Sequence, residues 1–395
     1  MTRARLVTPT FAVVTASALA YFVGIGMLLP TIPRYVEDVL GGGGVAVGIV
    51  AGAFAFTAAL LRPWAGRIGD HAGRRILVLG GSSILAASYL LYVFADGLAP
   101  LIGLRILSGV GEAAMFVGAA TAVQDLAPVE RTGEAASYFS VAVYGGLGGG
   151  PPLGEAIQRA HGYDAVWVTA AAITLLATAL GWWTPVGAVT RATERRRLLN
   201  PAGLGPGSVL ALSLSGLAAF TGFVALYVDH FDLGDAGPVF VLYGALILAM
   251  RLAGARVADR FGARGTATFA IGCIVSGMVL MAAWPARPGL FLATAVFAVG
   301  MALQYPALIR IVIERTPGDQ RSSAIATFSI FFDLSQGIGL FVLGGVVAMF
   351  DGERAAFVAA AAMSASAVFV LFRVTARPAA DGGRSLAAPA APPHG

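Results

Sequence analysis

Arg62-Pro63-Trp64-Ala65-Gly66-Arg67-Ile68-Gly69-Asp70-His71-Ala72-Gly73-Arg74-Arg75 returns later in the chain as Arg251-Leu252-Ala253-Gly254-Ala255-Arg256-Val257-Ala258-Asp259-Arg260-Phe261-Gly262-Ala263-Arg264. Both copies join two apolar runs, and Arg62/Arg251, Asp70/Asp259 and Gly73/Gly262 stand at one offset of 189 residues (62 to 251). Gly111/Gly300, Pro128/Pro317, Ser140/Ser329 and Gly150/Gly339 keep that offset, so the register holds through most of each half. A membrane chain made of two related halves places its site near the midplane, between them.

Composition puts the chain in a bilayer. Of 395 residues, 57% are hydrophobic and 12% charged, against roughly 25% charged in soluble domains. A helical span needs about 20 mostly apolar residues. Such runs fall at about 9–31, 45–65, 75–95, 98–123, 133–157, 164–185, 207–230, 237–256, 266–284, 288–313, 321–350 and 355–373. They show no sustained period-two alternation and are too long for barrel strands, which leaves helices. The expected fold class is an all-α membrane protein with twelve transmembrane helices in two six-helix pseudo-repeats. The expected units are bundles at 9–185 and 207–375, a linker at 186–206 and an Ala/Pro/Gly-rich disordered tail at 376–395.

Arginine placement orients the chain. With the N-terminus cytoplasmic, the opposite side holds Arg34, Arg159, Arg287 and Arg354, Arg105 lies within a span, and the rest of the 26 basic residues gather on the cytoplasmic side. The net charge of +5 thus reflects topology, not nucleic-acid binding. The start mimics a signal peptide, but its apolar run extends to Leu29, beyond the roughly 7 to 15 residues of a signal core, and is read as an uncleaved first span. Cys273 is the single cysteine and reads as a small buried hydrophobe. Lysine is absent, so no G-x-x-x-x-G-K-[ST] phosphate loop exists in this chain. No nucleophile cluster points to an enzyme. Asp229-His230-Phe231-Asp232, at a span end, is a solvated loop or, less simply, a metal or pH site.

Gly66, Asp70, Gly73, Arg74 and Arg75 match the G-x-x-x-D-[RK]-x-G-[RK]-[RK] loop of the major facilitator superfamily, which this chain resembles over about 9–375. His71 departs from that pattern, as does Ala255 in the second copy. Arg105 through Ala114 resembles a second signature, with Ser108 where Gln is common. Gly146, Gly150, Pro151 and Gly154 supply the G-x-x-x-G-P-x-x-G pattern of the family's exporters, in a stretch that is Gly-rich throughout. The resemblance implies alternating access, a proton gradient as energy source, no cofactor, and a gating role for Asp70, Arg74 and, by repeat, Asp259. Arg62 and Arg251 are read as gating or as snorkelling to the interface, and the loop arginines as a whole as gating or topology alone.

Charges inside spans are costly and mark function by default. Arg105 and Glu112, two turns apart on one helix face, can face one aqueous cavity and are read as part of a functional network or proton relay, or as structural pairing alone. Asp333 stands where the first half has Tyr144 and is a candidate proton carrier, or a carboxyl bonded to Ser329 or Gln336. Glu155 titrates or reaches the headgroups. The glycines of the fifth run let a neighbouring helix approach, and Pro151 can kink it. By resemblance the first, fourth, seventh and tenth spans line the cavity, making Tyr21, Met27, Met115, Phe220, Tyr227, Gln304 and Tyr305 candidate substrate contacts. With few charges, the cavity is expected to prefer an amphipathic neutral or cationic compound.

The resulting expectation is a monomeric bacterial inner-membrane transporter with both termini cytoplasmic. Its partners are a small-molecule substrate, protons and the bilayer, and its activity is proton antiport exporting an amphipathic compound. Proton symport for uptake and a non-transporting receptor or scaffold are the alternatives.

Overall fold

The computed structural model describes residues 6–128, 131–185, 200–253, 257–316 and 321–376. It places Asp259 and Asp333 on their helices without describing their side chains. The regular structure of the described residues is helical: α1 (Pro9–Arg34), α2 (Gly44–Ala72), α3 (Arg74–Leu91), α4 (Leu98–Asp125), α5 (Thr132–Gly181), α6 (Pro201–Ser213), α7 (Ser215–His230), α8 (Gly237–Ala253), α9 (Val257–Ala283), α10 (Arg287–Glu314), α11 (Arg321–Phe350) and α12 (Glu353–Ala376). Ten segments among them are long and apolar enough to cross a membrane, and Gly237–Arg251 is a shorter apolar helix. The fifth and sixth expected runs are joined in α5, which breaks at Gly162 (φ 80°, ψ −178°) and runs helically through Pro151 and Pro152.

Large apolar side chains such as Leu175, Leu176, Trp182, Phe269, Val358 and Phe369 are exposed on the outside, while Trp167, Phe220, Phe297 and Phe357 fill the interior. A helix apolar on both its faces satisfies its backbone internally and needs no water, which suits a bilayer. Cys273, expected to be buried, is only partly so.

Local chemistry sets the helix ends. Thr8 caps α1, its hydroxyl accepting from the Phe11 N–H at 3.2 Å. At α6 the Asn200 side chain accepts from Ala202 N–H at 3.0 Å and Pro201 occupies the first turn, a combination that opens helices. The helix therefore begins ahead of the expected start at 207, inside the stretch whose prolines and glycines read as a linker. Pro30 and Pro33 lie near the end of α1, which passes at Arg34 into a π-helical turn, Tyr35–Val39. Gly73 (φ 90°) and Gly262 (φ 66°) both take left-handed backbone between an Asp-bearing turn and the next helix. This conformation is costly for any side chain with a Cβ.

The widest helix contact is α1 on α5. A Cβ at Gly150 would lie 2.6 Å from the Val23 carbonyl oxygen and 2.7 Å from Gly26 Cα. Gly146 meets Phe22 and Val23 in the same way, Gly154 meets Met27, and Pro151 lies against Gly26. Because the opposing atoms are backbone, Gly150→Val must push α1 away, and overpacking of this kind costs about 1–3 kcal/mol. We expect Gly150→Val to lower the thermal midpoint in detergent, followed through reaction of Cys273 with a thiol dye. Gly149→Ala, where a Cβ meets nothing within 4 Å, should leave it unchanged. Equal midpoints for the two variants would show that the α1–α5 contact is slack.

The two halves meet along α2 with α11 and α5 with α8. Gly148 faces the backbone of Phe240 and Gly244, and Gly337 faces the backbone of Phe56. Gly148 and Gly337 stand at the 189-residue offset, as do Ala55, beside Phe56, and Gly244. The two interfaces thus use equivalent positions with the roles of the halves exchanged.

Candidate functional site: a cationic cavity between the halves

A cavity of about 390 Å³ opens between the halves, lined from α1, α2, α3, α4, α5, α7, α8, α10 and α11. Most of its wall is apolar and aromatic, including Phe22, Phe54, Phe116, Phe139, Phe240 and Tyr243. A second volume of about 220 Å³ shares Arg62, Phe116, Tyr144 and Arg251 with the first and adds Gln304, Tyr305 and Ser329. Pockets of this character, apolar with a few convergent polar groups, suit small organic ligands.

Four charged residues with described side chains line the larger cavity: Arg62, Arg105, Glu112 and Arg251. Arg62 donates to Glu112 at 2.8 Å, and its guanidinium stacks 4.1 Å from the Phe116 ring centre. Glu112 is 6% exposed, and its Oε2 has no hydrogen-bond partner. The Tyr21 hydroxyl is buried close to this carboxylate. Arg105 is 8% exposed; its Nε donates to the Val50 carbonyl at 3.1 Å and its guanidinium lies 4.4 Å from the Phe54 ring centre. Arg251 donates to the hydroxyls of Ser140 at 3.3 Å and Tyr144 at 3.2 Å, 5.0 Å over the Tyr144 ring, and its buried Nε has no partner. The cation–π contacts hold these guanidinium groups flat against the wall. Counting along the helices at 1.5 Å per residue, Glu112, Arg251 and Arg62 lie about 20–27 Å from the α4, α8 and α2 starts, and Arg105 about 10 Å from the α4 start. Arg62 and Arg251, equivalent by the repeat, thus face one space from opposite halves.

The end of the bundle where α1 stops and α2 starts is held by a charge network centred on the buried Arg34 and Glu155. Arg34 donates from Nη1 to Glu155 at 2.6 Å, from Nη2 to Asp229 at 2.7 Å, and from Nε to the second Asp229 oxygen. Glu155, 2% exposed, also accepts from the Ala236 N–H at 3.1 Å and the Gly237 N–H at 2.5 Å. Those two donors open α8, so a first-half carboxylate caps a second-half helix, where the macrodipole favours negative charge. Arg159 pairs with Asp235 close by. Glu155 therefore turns into protein rather than to the headgroups, and Asp229 belongs to this network. Among the described residues no group of three or more His, Cys, Asp or Glu is placed to hold a metal.

At the opposite end, Arg74 donates to Asp70 at 2.8 Å and to Asp125 at 3.2 Å, both within the first half. The side chains of Asp259 and Asp333 lie outside what the structure describes. Gln304 donates to Ser213, and the Tyr305 hydroxyl is 3.4 Å from that of Ser329. Tyr21, Met27, Met115, Phe220 and Tyr227 line neither cavity. Tyr227 donates to the Met281 carbonyl at 2.6 Å, and Phe220 packs against Phe240, Tyr243 and Phe297. Sequence reasoning does not bring Arg34 and Asp229 together. The available signal is that Arg34 sits on the arginine-poor side, where a cation needs a specific reason to be.

Residues 14–285 and 207–393 match the model of the Major Facilitator Superfamily. The chain belongs to the major facilitator superfamily. Among similar members, an uncharacterised MFS-type transporter of Salmonella typhimurium is 29% identical over 91% of this chain and 96% of its own length. The uncharacterised MFS-type transporter YhhS of Escherichia coli is 28% identical over 91% of each. The crystal structure of the nucleoside transporter NupG superposes with a TM-score of 0.76 at 12% identity, covering 93% of this chain and 99% of that one. At that identity the likeness speaks for the fold. This superfamily member is a multi-pass membrane protein of a family of small-molecule carriers.

Proposed function

We propose that this chain is a proton-coupled secondary transporter of the inner membrane that works by alternating access, with twelve spans in two six-helix halves rocking about the α2–α11 and α5–α8 contacts. The observation that carries the proposal is the pairing of half-buried Arg62 with buried Glu112 on the wall of the central cavity. Glu112 is an acid sheltered from water, paired with a cation that a substrate can reach. Protonation of Glu112 releases Arg62, and deprotonation recaptures it, so substrate occupancy and proton occupancy are linked. The Arg34–Glu155–Asp229 network is the closed outer gate in this reading, the Asp70 end faces the cytoplasm, and Asp333 is a second candidate carrier for the proton. The Asp70–Arg74 loop serves as the inner gate.

The direction we favour is export by antiport, supported by the α1–α5 packing of Gly146, Gly150, Pro151 and Gly154 against Phe22, Val23, Gly26 and Met27. A seam of backbone against backbone stays sealed while the halves move. Symport is the second reading, and the Arg62–Glu112 geometry favours it for one class of solute. An anion that takes Arg62 leaves Glu112 unpaired and prone to protonation, so solute and proton bind together.

Everted vesicles test this. In vesicles acidified inside, a panel of amphipathic compounds added outside should relieve quenching of a pH-sensitive dye under antiport, and Asp333→Asn would lose the response if Asp333 carries the proton. In vesicles without respiration, solute-driven acidification of the lumen would instead establish symport. Dye signals identical to vesicles lacking the protein, with every compound and in both settings, would sink the proposal of proton coupling.

A further inference from the structure

We infer that the cavity takes an amphipathic organic anion, its acidic head held by Arg251 with Arg62 and its apolar body against the aromatic wall. This rests on the transporter reading above, names its substrate class and, because the anion takes Arg62 from Glu112, belongs with the symport form of that reading. It reverses the neutral or cationic preference expected from the low overall charge of the chain.

The argument is one of charge balance at a single place. Arg62, Arg105 and Arg251 line the cavity against one described acid, Glu112. Counting Asp333 as a lining carboxylate would still leave arginines in excess. Glu112 is engaged with Arg62. Arg105 has a carbonyl and a ring for partners, and Arg251 has two hydroxyls and a ring. No carboxylate pairs with either among the described residues. A cation inside a membrane protein is costly unless it is paired or solvated, and a cationic solute would add to the repulsion, whereas a sulfonate, carboxylate or phosphate ester removes it.

Geometry adds specificity. Arg251 presents its fork across the Tyr144 ring, with a buried Nε that has no partner, and a planar guanidinium fork matches an oxyanion in bidentate fashion. Phe116, Phe240, Tyr243 and Phe332 line the same volume, so a ring or short alkyl body has an apolar bed beside the head. A volume near 390 Å³ favours a body of one to three rings over a long lipid.

The test uses the full chain in proteoliposomes and a set of matched radiolabelled probes: naphthyl, biphenyl and octyl bodies, each as sulfonate, neutral amide and ammonium. The expected result is saturable uptake of the sulfonates. Arg251→Gln should raise their half-saturating concentration at least tenfold, and Arg251→Lys should restore part of the loss. A thermal-shift measurement checks that both variants are folded and that the sulfonates stabilise the wild type more than the amides do. Saturable uptake of ammonium or amide probes in place of sulfonates would overturn the anion assignment and leave the transporter reading standing. Sulfonate uptake unchanged in folded Arg251→Gln would also overturn it. Absence of uptake for all nine probes, with folded protein confirmed, would overturn the assignment and count against the transporter reading as well.

Discussion

Glu155→Ala is expected to open the Arg34 end of the bundle. The substitution strips Arg34 of its most buried partner and leaves the Ala236 and Gly237 N–H groups without their acceptor. Breaking a buried ion pair from one side costs about 3–5 kcal/mol, and unsatisfied buried donors cost about 1–3 kcal/mol each. Arg34 keeps Asp229, whose side chain is 45% exposed, so solvent weakens that remaining bond and we take the low end. A loss of about 3 kcal/mol from the closed state shifts its equilibrium with the open state roughly a hundredfold, at about 1.4 kcal/mol per factor of ten. The measurement is labelling of a cysteine placed at Leu29, a cavity-lining position near the end of α1, in a Cys273→Ala background. Replacing the single native cysteine removes competing signal. An impermeant maleimide added to intact cells should react at least tenfold faster in Glu155→Ala than in its parent. Equal labelling rates would mean that Glu155 does not hold this end shut.

The second large effect is expected at Glu112. Glu112→Gln keeps the size of the side chain and a hydrogen-bond acceptor for Arg62 while removing the group that can take a proton. Uphill transport driven by a proton gradient should fall at least a hundredfold, about 2.8 kcal/mol or more at 1.4 kcal/mol per tenfold. Exchange of labelled for unlabelled solute across equal pH should survive, because exchange needs alternation but no net proton movement. Measuring both in the same proteoliposomes separates coupling from folding. If Glu112→Gln still concentrates solute and Asp333→Asn does not, the proton travels on Asp333 and Glu112 only positions Arg62.

Elements whose cause is local are legible in the sequence, and those whose partners are distant are not. The Asp70/Asp259 loops are visible because a left-handed glycine, Gly73 or Gly262, must follow within a few residues. The fifth-run glycines announce a close helix approach, but not that α1 supplies the other side, since spacing along one helix says nothing about its neighbour. Glu155 is conspicuous as an acid near a span end, yet its partners lie 81 and 82 residues away at the start of α8 and 121 residues away at Arg34. The start of α6 departs from expectation because residues 201–206 fall within the expected linker, whereas Asn200 followed by proline begins a helix. The sign of the cavity departs for a related reason. A low total charge describes the chain as a whole, while folding gathers Arg62, Arg105 and Arg251 from three separate helices around one space.

Several arginines of the arginine-poor side are individually bonded. Arg34 and Arg159 pair with acids from the second half, and Arg354 donates to the Ala282 carbonyl at 2.7 Å. Cations that run against the topological bias are kept there by particular bonds.

One asymmetry at the latch has a consequence for how this protein tolerates change over generations. The first half contributes a carboxylate at Glu155, but the second half answers with main-chain N–H groups of residues 236 and 237. Main-chain donors persist through almost any substitution, so no mutation short of proline removes the donor of residue 236, although Ala236 is fully buried and a larger side chain there must find room. Position 237 has less latitude, because a Cβ there would stand 2.7 Å from Glu155 Oε2. At the Glu155 cap itself the heritable risk is therefore lopsided: one codon change removes the acid, while the donors opposite survive most changes and are disturbed only through packing at 236 and 237.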